Sequence, residues 1–149
     1  MAQKTQMKKI LYPTHGVVTH AMGYGSVIAT SILLVLDGIW VYTFMRNKYI
    51  TQIKKIQGSD LKANLGYAVL AYMLMVVGLN IFVLPRIRKG HELVDSLLYG
   101  GGFGAVLYGV YDFTAAAVFK DWDMGLALLD ILWGSFVFFI SAYIGSLTR

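Results

Sequence analysis

Cysteine is absent from this 149-residue chain, which excludes disulfides and thiolate metal sites. Charge is also scarce: 14% of the residues are charged and 57% are hydrophobic. A soluble domain carries about a quarter charged residues, so lipid rather than water is the expected solvent. Proline occurs only at Pro13 and Pro85. His15, His20 and His91 have no metal-ligand spacing and lie at or outside the ends of the apolar stretches. No metal site or cofactor is expected. Nothing matches a nucleophile–base pair, a dinucleotide fold or haem ligation, so no catalytic residue is assigned and an enzyme is not expected.

What the chain does have is four long apolar stretches, at residues 23–45, 63–85, 93–119 and 124–147. Each meets the roughly 20 residues that a helix needs to cross the hydrocarbon core. The expected fold class is all-α, an integral membrane bundle of four transmembrane helices in one domain (residues 23–149). The second stretch ends at Pro85, followed by Arg86, Arg88 and Lys89; proline stops a helix, and the bases anchor at the interface. A basic tail, residues 1–22, precedes the bundle without a single acid, and a short interfacial helix broken at Pro13 is expected there. Residues 46–62, basic and with Ile50, Ile53 and Ile56 at helical spacing, suit either a helix lying on the membrane surface or a mobile basic loop.

The net charge of +5 suggests nucleic acid only superficially. Most bases lie between the apolar spans, where lysine and arginine meet lipid headgroups. Membrane lipids are therefore expected as partners and nucleic acid is not. Seven bases on the side of the N-terminus face six on the other, which sets that terminus inside by one charge.

Three spans each carry an aspartate: Asp37, Asp112 and Asp130. An intramembrane carboxylate is costly and marks a polar site or an ion path. The apolar residues of the first span contribute about −0.3 to −0.6 kcal/mol each, which together outweighs about +3 for Asp37. The spans alternate in direction, so all three acids are expected at similar depth, in the half nearest the first and third connections. At 3.6 residues per turn, Ser26, Thr30 and Asp37 share one stripe. Gly101, Ala105, Tyr108, Asp112 and Ala116 share a second, and Asp130, Gly134, Ser141 and Gly145 a third. Small and hydroxyl residues beside each acid mark faces packed on other helices. No base lies deep in a span, and three close carboxylates cannot all stay ionised in low dielectric, so at least one is expected to hold a proton. The expected partners are protons, hydroxyls, the indole N–H groups of Trp40 and Trp133, or an exogenous cation. Tyr108 and Tyr111 beside Asp112 complete the candidate site. Gly100, Gly101, Gly102 and Gly104 lack the lysine and serine of a phosphate loop and read as close helix packing.

Leu36-Asp37-Gly38-Ile39-Trp40, Tyr111-Asp112-Phe113-Thr114-Ala115 and Asp130-Ile131-Leu132-Trp133-Gly134, with Lys120-Asp121-Trp122 between the last two spans, carry a resemblance. The chain resembles a family of predicted membrane proteins called domain of unknown function 2177. The resemblance spans nearly everything after the basic tail and implies four helices, but it implies no activity. Two positions depart from the family pattern: Ala115 replaces an asparagine, and Asp123 stands where proline is frequent. The family is similar to proteins of bacteria and of large DNA viruses. Two expectations stand, the first from the acidic centre and the second from that breadth. One is a proton- or cation-coupled transporter or channel-like protein built on the acidic centre. The other is a structural or scaffolding protein, for example in the internal membrane of a virion. A multi-pass protein of a cell membrane or virion membrane is expected, working as a homo-oligomer or within a membrane protein assembly.

Overall fold

The computed structural model describes residues 23–148. The expected basic tail and its helix broken at Pro13 lie outside the described residues. Among these, four helices are long and apolar enough to cross a membrane: α1 Tyr24–Gln57, α2 Leu65–Arg86, α3 Glu92–Val118 and α4 Met124–Leu147. The protein is an all-α bundle of four candidate transmembrane helices.

The stops follow from local chemistry. Asn64 caps α2 by accepting from the backbone N–H groups of Gly66 at 3.0 Å and Tyr67 at 3.4 Å. Asp123 does the same for α4, accepting from Gly125 N at 2.9 Å and Leu126 N at 3.1 Å. Short polar side chains serve this role because they satisfy the free N–H groups of the first turn. Pro85 lies in a single 3₁₀ turn, Leu84–Arg86, that closes α2 as expected.

Of the two expectations for residues 46–62, the helical one holds over Arg46–Gln57. That helix is not a separate one. The helix runs on from the apolar span through a wider π-helical turn at Val41–Met45 and continues over Arg46–Gln57. The fall in hydropathy at Arg46 ends the lipid-compatible stretch, but residues 46–57 contain no glycine or proline to break the backbone. The stop comes at Gly58, in the left-handed conformation (φ 70°), whose N–H donates to Lys54 O at 3.0 Å. Only glycine takes that conformation freely, and it is the usual residue just past a helix end. Tyr49, Ile53 and Ile56 fold back onto a small apolar cluster of Ala115, Trp122 and Ala127. Ala115 faces this cluster, so the family's asparagine position is an interior apolar contact in this chain.

Helix α4 forms the centre of the bundle, with α1 and α3 packed against it. The main core gathers Ala29 and Leu33 of α1, Leu79, Val83 and Leu84 of α2, and Val137, Phe138 and Ala142 of α4. Helix α2 is peripheral along Leu65–Val77, where no residue is buried. It is pinned further along by Asn80, whose amide donates to Thr30 Oγ1 at 2.9 Å and accepts from the Ser26 hydroxyl. The contact of α3 with α4 is close enough to exclude side chains. A Cβ on Gly104 would collide with the Gly134 backbone carbonyl, and one on Gly134 with the Tyr108 ring. The glycine run thus serves helix packing, as expected, except at Gly102, which has open space around it.

A crossed aspartate–tryptophan site joining four helices

Asp37 and Asp130 are buried where α1 and α4 run antiparallel. Along α1 the order toward the first connection is Asp37 then Trp40; along α4, away from the third connection, it is Asp130 then Trp133. Three residues of helix rise about 4.5 Å. Asp37 therefore lies level with Trp133, and Trp40 level with Asp130. The hydrogen bonds follow these levels: Trp133 Nε1 donates to Asp37 Oδ1 at 3.0 Å, and Trp40 Nε1 donates to Asp130 Oδ1 at 3.2 Å. The two indoles stack between the acids, with ring centroids 4.4 Å apart and planes within 8°. The two motif copies form one reciprocal arrangement. Within the similar depth expected for the acids, Asp37 and Asp130 are offset by nearly one helical turn.

Asp37 is the hub. Besides Trp133 of α4, its carboxylate accepts from the Tyr108 hydroxyl of α3 at 2.7 Å and the Tyr72 hydroxyl of α2 at 2.9 Å. One side chain on α1 is thereby bonded to each of the other three helices. Asp130 accepts a second bond from the Tyr49 hydroxyl at 3.0 Å, which draws the extension of α1 back to the site. All five donors are neutral, and each bond contributes about 0.5–1.5 kcal/mol, or about 1.5–3 kcal/mol to a charged acceptor. That offsets much of the penalty of removing a carboxylate from water.

Asp112 stands apart. It is 1% exposed, and its Oδ2 has no hydrogen-bond partner among the described residues. It is bonded to neither of the other acids. The donor nearest to it is the Trp122 indole N–H, which is also buried and does not reach full hydrogen-bond geometry with any acceptor. Tyr111 does not engage Asp112. It is 54% exposed, meets Trp122 edge-on at 6.2 Å, and opens onto a groove. Among the described residues no three His, Asp or Glu side chains gather closely enough to hold a metal ion. The groove, of about 540 Å³, runs between α1 and the start of α2 and is lined by Tyr42, Arg46, Tyr49, Tyr72 and Tyr111 among others. Two of these phenols, Tyr49 and Tyr72, are the ones bonded to Asp130 and Asp37.

Of the residues expected in the site, Asp37, Asp130, Trp40, Trp133 and Tyr108 are joined directly; Asp112 and Tyr111 adjoin them without bonding. Sequence reasoning missed Tyr49 and Tyr72. Tyr72 sits on a helix with no buried stripe to single it out, and Tyr49 sits in what reads as a polar connection.

A bundle of this kind, with carboxylates held by neutral donors inside apolar helices, defines a multi-pass membrane protein with a buried polar centre. The chain belongs to the family described as predicted membrane protein (DUF2177), which matches residues 22–147. No curated protein and no solved structure matches it.

Proposed function

We propose that this protein is a proton-linked carrier or channel-like protein whose exchangeable acid is Asp112. The observation that supports this reading is the contrast between its acids. Asp37 and Asp130 each accept a fixed donor on both oxygens, whereas Asp112 is equally buried and has an oxygen that meets no donor in full hydrogen-bond geometry, with the Trp122 indole beside it. Native structures leave such a group unpaired where an unseen water, an ion or a functional exchange completes it. A proton suits the site better than a metal-like cation, since the carboxylates are not gathered as a ligand set. The groove leads to the phenols that hold Asp37 and Asp130, so a solute occupying it would disturb the acids' hydrogen bonds. No catalysis is assigned. A homo-oligomer within a lipid membrane, with no nucleic-acid partner, is the proposed working form, because four helices enclose little volume.

The test is internal pH in liposomes carrying the purified protein, with and without Asp112→Asn. Proton movement that disappears in Asp112→Asn while its helicity and melting are kept supports the reading. Absence of movement in the unaltered protein under pH, sodium and potassium gradients would overturn it.

One observation favours a second reading, a scaffolding membrane protein: Asp37 fastens all four helices together. On this reading the acids are polar fasteners, and the protein would serve equally in a cell membrane or in the internal membrane of a virion. The same liposome experiment decides, since a scaffold moves no protons.

A further inference from the structure

Between the extension of α1 and the start of α4 lies a second cavity, about 700 Å³ in volume and lined mostly by polar residues, away from the tyrosine-lined groove. Its walls carry Lys48, Thr51, Gln52 and Lys55 from α1, with Asp121 and Asp123 from the connection ahead of α4. We propose that this cavity binds a phosphate–ammonium zwitterion, the headgroup chemistry of phosphoethanolamine.

Its position fits a headgroup. The apolar part of α1 ends near Met45, and at about 1.5 Å per residue Lys48 and Thr51 stand about 5–9 Å beyond it. The headgroup band on each side of a bilayer is about 5–8 Å thick.

Its charge fits a zwitterion rather than a bare anion or cation. Two lysines face two aspartates. Lys48 is steadied by the Phe44 ring, its Nζ 4.6 Å from the centroid. Asp123 spends only Oδ1 on the helix cap, and its other oxygen takes no part in it. Lysines recognise a phosphate, and carboxylates accept from the three N–H donors of a primary ammonium. A trimethylated ammonium lacks those donors.

The independent observation is Gln52. It is 93% buried, at 7% exposure, on the wall of this cavity, and neither its amide nitrogen nor its amide oxygen has a partner. A buried amide with both ends unpaired is rare in a native fold. Both amide atoms lie just beneath the cavity surface, and a turn of the side chain would let the nitrogen donate to a phosphate oxygen and the oxygen accept from an ammonium, complementing both halves of the zwitterion.

The experiment is native mass spectrometry of the full chain from micelles holding equimolar phosphatidylethanolamine, phosphatidylcholine and phosphatidylglycerol. The expected result is retention of phosphatidylethanolamine about tenfold above the other two, the preference of one good charged contact. Gln52→Leu and Lys48→Ala should each abolish the preference, with helicity and melting temperature unchanged. Lys48 is exposed, so that variant keeps the test open if Gln52→Leu folds poorly. Competition by glycerophosphoethanolamine at equal concentration would assign the site to a soluble ligand of the same chemistry, and failure to compete would assign it to the lipid. Equal retention of the three lipids, or an unchanged preference in both variants, would overturn the proposal.

Discussion

Trp40 and Trp133 stack face to face, and each indole donates its N–H to the aspartate three residues ahead of the other. The two bonds look equivalent but are not. Asp37 Oδ1 also accepts from Tyr108, whereas Asp130 Oδ1 has Trp40 as its one recorded donor. Trp40→Phe therefore strips an oxygen bare and should destabilise by about 2 kcal/mol, while Trp133→Phe should cost about 1 kcal/mol. Denaturant unfolding in detergent checks the order, because both variants keep an aromatic ring in the stack. Equal losses would mean that stacking, not the N–H bond, carries the contact.

Asp37 and Asp112 should respond oppositely to the loss of their charge. Asp37→Leu orphans two hydroxyls and one indole at the meeting point of four helices, at about 1–3 kcal/mol per unsatisfied group. It should fail to accumulate as folded protein. Asp37→Asn is milder, because the Tyr72 hydroxyl can turn and accept from the new amide. Asp112→Leu removes an oxygen that has no partner and should be neutral or stabilising. Size-exclusion profiles and melting curves of the three variants separate these outcomes. A destabilised Asp112→Leu would show that this acid has a structural bond after all.

How far the sequence reached differs from residue to residue. The membrane spans were legible because apolar run length follows bilayer thickness, and the stop at Pro85 followed from simple backbone chemistry. Asp37, Trp40, Asp130 and Trp133 were legible as a pattern, and helical periodicity placed Ser26, Thr30 and Asp37 on one inward face. The crossing of the two motifs was harder to see, since depth along antiparallel helices must be compared residue by residue. The isoleucine spacing showed a helix beyond Arg46, but its continuity with α1 was hidden because hydropathy reports the solvent around a helix, not its end. Tyr72 and Asn80 were hidden because α2 is apolar all round and offers no periodic signal. The bidentate pair of Arg88 with buried Asp95, 2.8 Å and 2.9 Å, was missed because the acid lies at a span end where charge looks solvated.

Tyr49 is the polar tether of the α1 extension. Its hydroxyl bonds Asp130, and its ring lies 6.5 Å from that of Trp122. Tyr49→Phe keeps the ring packing and loses the bond, so the extension should open more often without detaching. Trypsin cleavage at Lys54 and Lys55 should quicken several-fold, because proteolysis follows the population of the open form. An unchanged cleavage rate would show that Ile53, Ile56 and the ring hold the segment unaided.

Gly134 ties packing to the acidic site. A Cβ there would collide with the Tyr108 ring, and the hydroxyl of that same ring reaches Asp37. Gly134→Ala must therefore move Tyr108 or part α3 from α4, and either shift weakens the bond to Asp37. Overpacking of this kind costs about 1–3 kcal/mol. Gly102→Ala provides the contrast within the same pair of helices. Nothing lies within 4 Å of its added methyl group, and alanine in a helix gains roughly 0.5–1 kcal/mol over glycine. Melting temperatures should fall for Gly134→Ala and hold or rise for Gly102→Ala. Adding Tyr108→Ala to Gly134→Ala should cost less than the sum of the two changes, because the clash is with Cγ and Cδ2 of that ring and the new methyl group then has room, whereas a full additive loss would place the clash elsewhere.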